Sequence, residues 1–282
     1  MNTVNWNGKT ITYPSTWDEC NANDLMAIAA TLGFFRPEDG DEIILNERAI
    51  IMIQHFLKIK KEKLLAIDAA QMVDFYPTIE FIFTEPDIKH QPLPDFRLLL
   101  TRYHGPKAAL KTSTFDEFIM ADTAFMKFCK TGNHESLYEL AAIMYRPRRK
   151  DWKEFKASEE YNGDVREPFN PEVAKERAKH FQKWLNMYTA FVVFYFYWGF
   201  RNVSLLKYKT LFKEPAEGEN QQPAKYGWAA TRFEISGEKF GDFRKTGKEP
   251  WENIIFDLHR MEENRIIAEA KAAFERQNAG VK

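Results

Sequence analysis

Cysteine, glycine, histidine and one-sided charge are all scarce in this chain, and each scarcity removes a class of protein. Only two cysteines occur in 282 residues, Cys20 and Cys129. They cannot form a secreted disulfide framework, and neither has a close partner of the kind a structural zinc site needs. Both lie in helical patterns, where a thiol packs as a small apolar group. The six histidines, at 55, 90, 104, 134, 180 and 259, show no zinc-helix spacing, and His134-Glu135 has no second histidine four residues on. The glycines, 13 in all, make no phosphate cradle. Gly241 to Glu249 comes nearest, but five residues separate Gly241 from Gly247 where four are required, and Glu249 stands where a Ser or Thr would hold magnesium. No Ser or Cys sits in a nucleophile elbow. The expectation is a protein without catalytic residue, metal or cofactor; a site assembled from residues distant in sequence stays open as an alternative.

Charge is balanced, with 40 Lys+Arg against 41 Asp+Glu and a formal net charge of −1, so a basic excess suited to gripping nucleic acid is absent. The longest uncharged run, Trp184 to Phe200, falls short of the ~20 residues a membrane span needs. Its lead-in is amphipathic, with Ala174, Ala178, Phe181 and Leu185 at helical spacing. A helix that passes from one-sided to all-round apolar is entering a protein core. The N-terminus lacks a basic segment followed by an apolar stretch, which predicts a chain that stays in the cytoplasm.

What is abundant is aromatic: 24 Phe, 11 Tyr and 7 Trp within 44% hydrophobic residues. Thr3–Trp6 and Lys9–Tyr13 flank Asn7-Gly8, a strong hairpin turn. Thr16-Trp-Asp-Glu19 reads as a capping box opening a helix to Leu32, with Gly33 as its stop. Glu42–Leu45 is a candidate third strand. Asn46 caps a helix to about Lys60 with Ile50, Ile53, Phe56 and Leu57 on one face, and Asp68–Gln71 starts a short helix. Pro86, Pro92 and Pro94 mark 85–94 as a connector. Thr114-Phe-Asp-Glu117 is a second capping box, and its helix runs to Lys130. Asn133 caps a partner helix lined by Leu137, Leu140, Ala141 and Met144, so the two form an antiparallel hairpin. Asp116, Glu117 and Asp122 read as carboxylates favouring a helix N-terminus. Asn170-Pro171 opens the longest helix, to about Trp198, and a last helix runs from Trp251 to about Gln277. Residues 213–227 read as a linker.

The fold expected is mainly α, a multi-helix globular protein with a small N-terminal β-hairpin element. Its units would be 1–60 (hairpin plus helix), 61–212 (helical core with the aromatic helix) and 213–282 (linker and C-terminal helix), or one continuous domain. The connector 146–170 is charged, and its basic run interleaves Arg146, Arg148, Arg149, Lys150, Lys153 and Lys156 with Trp152 and Phe155. Arg and Trp dominate binding hot spots. Tyr145, Arg146, Arg148, Arg149 and Trp152 are therefore the candidate partner-binding residues, on the hairpin 114–146 and the connector after it.

Three segments carry a resemblance. The opening Asn7-Gly-Lys-Thr-Ile-Thr-Tyr-Pro-Ser-Thr-Trp17-Asp-Glu is one. The second is Phe115-Asp-Glu-Phe-Ile with Leu-Ala-Ala-Ile-Met-Tyr-Arg-Pro ending at Pro147, and the third is the aromatic helix ending Gly199-Phe-Arg201. Together they are similar to a group of tail-module proteins of tailed bacteriophages and prophages, over roughly residues 6–205 and the final helix. The resemblance implies a tail-assembly chaperone or minor structural component that binds a tape-measure or tail protein, in the host cytoplasm or the virion. A nucleic-acid-associated accessory protein using 146–156 is the alternative, and an enzyme with a dispersed site the third reading.

Overall fold

The computed structural model describes residues 1–6, 8–33, 47–67, 74–208, 210–211, 227–237 and 239–279. The expected strand at Glu42–Leu45, the caps at Asn46 and Asp68, and the linker up to 226 lie outside them. Eleven α-helices fall among the described residues, with two small antiparallel sheets, so the chain is mainly α.

Strands β1 (Asn2–Trp6) and β2 (Lys9–Tyr13) pair in register from Asn2↔Tyr13 to Trp6↔Lys9, and Gly8 takes the left-handed turn position at φ 76°. The first capping box is not formed. Trp17–Glu19 is a 3-10 turn, and the Glu19 carboxylate accepts instead from the Ser15 amide and hydroxyl. The cap belongs to Asn21, whose side chain accepts from the Asn23 and Asp24 amides while Asp24 answers the Asn21 amide. Helix α1 (Ala22–Leu32) starts there and stops at Gly33. Helix α2 (Glu47–Leu57) buries Ile53, Phe56 and Leu57 and ends three residues early, at Lys58 with φ 55°. Asp24 reaches across to His55 at 2.8 Å, joining α1 to α2. The short helix α3 (Lys61–Leu65) follows.

The connector 85–94 leads into a hairpin that the sequence pattern did not reveal, β3 (Asp95–Leu98) with β4 (Thr101–His104). Helices α4 (Phe115–Thr131) and α5 (Glu135–Met144) form the expected antiparallel pair, with Gly132 left-handed at the turn. After α5 the chain makes β5 (Arg146–Pro147), which completes the sheet against β4. A short helix α6 (Trp152–Ala157) interrupts the connector.

The long aromatic helix is two helices, α7 (Pro171–Trp184) and α8 (Met187–Ser204). Leu185 turns extended to bury its side chain, and Asn186 caps the new helix by accepting from the Tyr188 amide at 2.8 Å. Every residue from Ala190 to Tyr197 is buried, which makes α8 the central element of the core. Phe194 stacks on Phe125 of α4 at 5.0 Å, Tyr195 donates to the Gly33 carbonyl at the end of α1, and Trp17 packs on Tyr195. Gly199 allows α8 to touch the connector, since a Cβ there would lie 2.5 Å from the Ile88 amide nitrogen. Among the described residues no helix is long and apolar enough to cross a membrane.

Helices α9 (Gly227–Ile235), α10 (Phe243–Lys248) and α11 (Trp251–Ala279) complete the chain. Trp251 is buried and donates to the Leu110 carbonyl at 2.9 Å. One buried apolar cluster runs from Tyr13 to Ile255. Because Phe194 is fully buried at its centre, Phe194→Ala is expected to cost ~3–5 kcal/mol, a large part of a typical domain's stability. Urea titration followed by tryptophan fluorescence measures it; an unmoved midpoint would remove α8 from the core.

Candidate partner-binding surface

Thr114 caps α4 by accepting from the Glu117 amide at 3.3 Å, but the Glu117 side chain does not turn back to complete a capping box. It points inward and lies 3.0 Å from Arg146 Nη1 and 2.9 Å from Arg166 Nη1. Asp164 closes the set, accepting from Arg166 Nη2 at 2.7 Å and from Arg146 Nη2 at 3.4 Å. Two carboxylates and two guanidinium groups leave this cluster neutral, which is what its burial requires. Burial alone would raise the Asp164 pKa, but the charges and hydrogen bonds of Arg166 and Arg146 outweigh it and hold the carboxyl below its ordinary value.

The same arginines finish helix α5. The last carbonyls of a helix have no partner within it. Here Ala142 O accepts from Arg177 at 2.8 Å, Ile143 O from Arg146 at 3.5 Å and Met144 O from Arg166 at 2.5 Å. Three cations thus meet the negative end of the α5 dipole, inside the protein. Glu167 holds Arg177 in turn.

Asp116 stands in the first turn of α4, as expected of a helix-terminus carboxylate, and also meets a partner from another segment, whereas the reading of Asp122 is corrected, since it lies beyond that turn. Asp116 pairs with Arg232 of α9. Asp122 is buried and accepts from Arg201 Nε at 2.7 Å, Tyr197 Oη at 3.3 Å and Trp228 Nε1 at 3.1 Å. Gly247 has a packing reason, because a Cβ there would collide with the Asp116–Arg232 pair.

The five candidate partner-binding residues divide. Tyr145 and Arg146 are interior, 0% and 3% exposed, and cannot form a docking surface. Tyr145 donates to the Leu93 carbonyl, and its ring lies against Phe96. The path of the chain divides them: Arg146 lies in β5 with its side chain in the ion cluster, whereas Arg148 lies beyond the end of that strand and is exposed. Arg148 lies 4.6 Å over the half-buried Trp152 ring, and Arg149 lies 3.6 Å over Phe155 while bonding Asp151 at 2.7 and 2.8 Å. Burial lowers the pKa of His104, and the neighbouring Arg148 adds to the effect. Arg148, Arg149 and Trp152 thus form a small surface patch with half of its charge neutralised locally.

A larger feature went unread in the sequence. Helices α4, α5 and α7 enclose a groove of about 750 Å³. Met120, Ala124, Ile143, Ala174 and Ala178 supply its apolar lining. Its rim carries Glu135, Glu139, Glu172 and Glu176, the last three neutralised by Lys127, Lys175 and Lys179 in that order. The available signal was the pair of alanines at i and i+4 on α7, which keeps that helix's inner face shallow.

Among the described residues no group of three or more His, Cys, Asp or Glu could hold a metal ion. No protein-family model matches the chain, and no curated protein or solved structure matches it.

Removing the shared anion leaves the buried cluster with one positive charge in excess, so Glu117→Ala is expected to destabilise by about 3–5 kcal/mol. Equilibrium denaturation checks it; a cost under about 1 kcal/mol would match a solvated pair instead. Asp164, with its pKa depressed in the folded state, stabilises the protein above its unfolded value of about 3.9, and that contribution is lost as pH falls. The acid limb of a stability–pH curve should therefore be shallower in Asp164→Asn; superimposable limbs would refute the assignment.

Proposed function

We propose that the protein is a non-enzymatic assembly factor of the tail-module kind, which holds a helical segment of a tape-measure or tail component. It would act in the bacterial host cytoplasm or within the virion. The groove between α4, α5 and α7 carries this reading. Its floor is aliphatic beneath a polar rim, and three of its four rim carboxylates already have lysine partners. Such a surface offers apolar burial and few unsatisfied charges, which suits the apolar face of an amphipathic helix. The groove also lies on the helical hairpin that carries one of the three segments resembling the phage group.

The patch at Arg148 and Trp152 favours a second reading, contact with a nucleic acid, because a cation and an aromatic face stand side by side there. Salt separates the two. Binding through apolar burial should persist from about 50 to 200 mM salt, whereas three phosphate contacts would lose roughly forty-fold in affinity over that range.

The direct test is a pull-down or titration with a candidate tape-measure or tail protein. Thr123 and Gln182 line the groove and are exposed, so Thr123→Glu with Gln182→Glu should leave the fold intact and weaken binding at least about tenfold. Undiminished binding by the double variant would place the interface elsewhere, and loss of protein binding in Arg148→Ala alone would move it to the Arg148–Trp152 patch.

A further inference from the structure

Helix α11 begins in the core and leaves it. Trp251, Ile254, Ile255 and Asp257 are buried, but from Glu263 to Asn278 every residue except Ala272 is exposed. This overhang is about four and a half turns, and a helix of that length is marginal without tertiary contacts. Ion pairs from Arg265 to Glu262 and Glu269 support it along one side.

An adjacent side is apolar. Ile266, Ile267, Ala270, Ala273 and Phe274 follow the i, i+1, i+4, i+7, i+8 pattern of a helix that packs against something. Yet Ile267 is 52% exposed and Phe274 66%. The stripe is too regular for scattered surface residues.

The charges beside the stripe identify its occupant. Ile266 and Ala273 take one seam position of a heptad, and Glu263 and Ala270 the other. In a parallel pair of these helices Glu263 would face Glu263 across the seam. Glu262 and Glu269 would also lie opposite Ile267 and Phe274. An antiparallel pair centred near Ile267 changes both contacts. Ile266 packs on Ala270 of the second copy, and Glu263 faces Ala273. Glu262 meets Arg276, and Arg260 meets the Phe274 ring, each contact occurring twice through the two-fold axis. Glu269 approaches its own copy at the axis, but each is already bonded to Arg265 at 2.5 Å.

We infer that α11 pairs antiparallel with α11 of a second copy, making the protein a two-fold dimer. This surface is separate from the groove and stands without the reading of it. Sedimentation equilibrium on the full chain should show a concentration-dependent dimer. Ile267→Glu should raise its dissociation constant at least about tenfold without changing the monomer's melting curve. The single changes Glu262→Arg and Arg276→Glu should each weaken the dimer, and the two together should restore it. Mixed E262C and R276C chains should cross-link to each other under mild oxidation, and E262C alone should not. A monomer at every concentration up to roughly 100 µM would overturn the inference. So would a dimer indifferent to Ile267→Glu, or cross-linking of E262C to itself, which reports a parallel pair.

Discussion

Glu117 is the constraint on which the centre of this structure depends. A carboxylate held between Arg146 and Arg166 in the interior cannot be moved by itself, because an unpaired buried ion costs several kcal/mol. The pairing therefore settles more than one distance. It fixes where the connector returns to the body through Asp164 and Arg166. It also presents two of the three arginines that satisfy the last carbonyls of α5. A helix ending inside a protein is permissible only when something meets its free carbonyls. Here the connector does so, which is why an irregular, charged segment has one defined path.

Helix α4 distributes the remaining order. Its carboxylates reach different parts of the chain: Asp116 holds α9, Glu117 the connector, and Asp122 both α8 and α9. Its aromatic face meanwhile stacks on α8, through Phe125 on Phe194. Polar links select which segments may approach α4, and apolar burial supplies the cohesion once they do. This explains how a chain with few regular sheet contacts keeps one continuous core.

Two surfaces remain beyond what the fold consumes, and they differ in kind. The groove is concave, its small alanines on α7 set low between neighbours and three of its rim carboxylates balanced by lysines. The α11 overhang is convex and carries its apolar stripe away from the body. A concave surface receives a segment of another molecule, whereas a projecting stripe calls for a partner with the same geometry. Holding a partner and holding a second copy are therefore compatible within one molecule.

Several features were legible in the residues alone because they depend on local rules. The hairpin around Gly8, the stop at Gly33, the α4–α5 pair, the cap at Asn170 and the core position of Phe191 to Tyr197 all follow from periodicity, turn chemistry and the absence of charge. Composition likewise spoke against a membrane span without any structure. What was not legible required two distant segments to meet. Thr16 and Asn21 are both good caps, and only the folded chain selects between them. Glu117 matched a capping pattern that is real at Thr114, yet its side chain belongs to arginines 29 and 49 residues away. Arg146 and Arg148 are alike in sequence and opposite in fate, because Arg146 meets the Glu117 and Asp164 carboxylates while Arg148, past the end of β5, lies over the Trp152 ring. Residue type and spacing determined the helices and the apolar interior. The partner of each buried charge, and so the residues left for the surface, was decided by tertiary structure, since an ion's position is set by the opposite charge it meets.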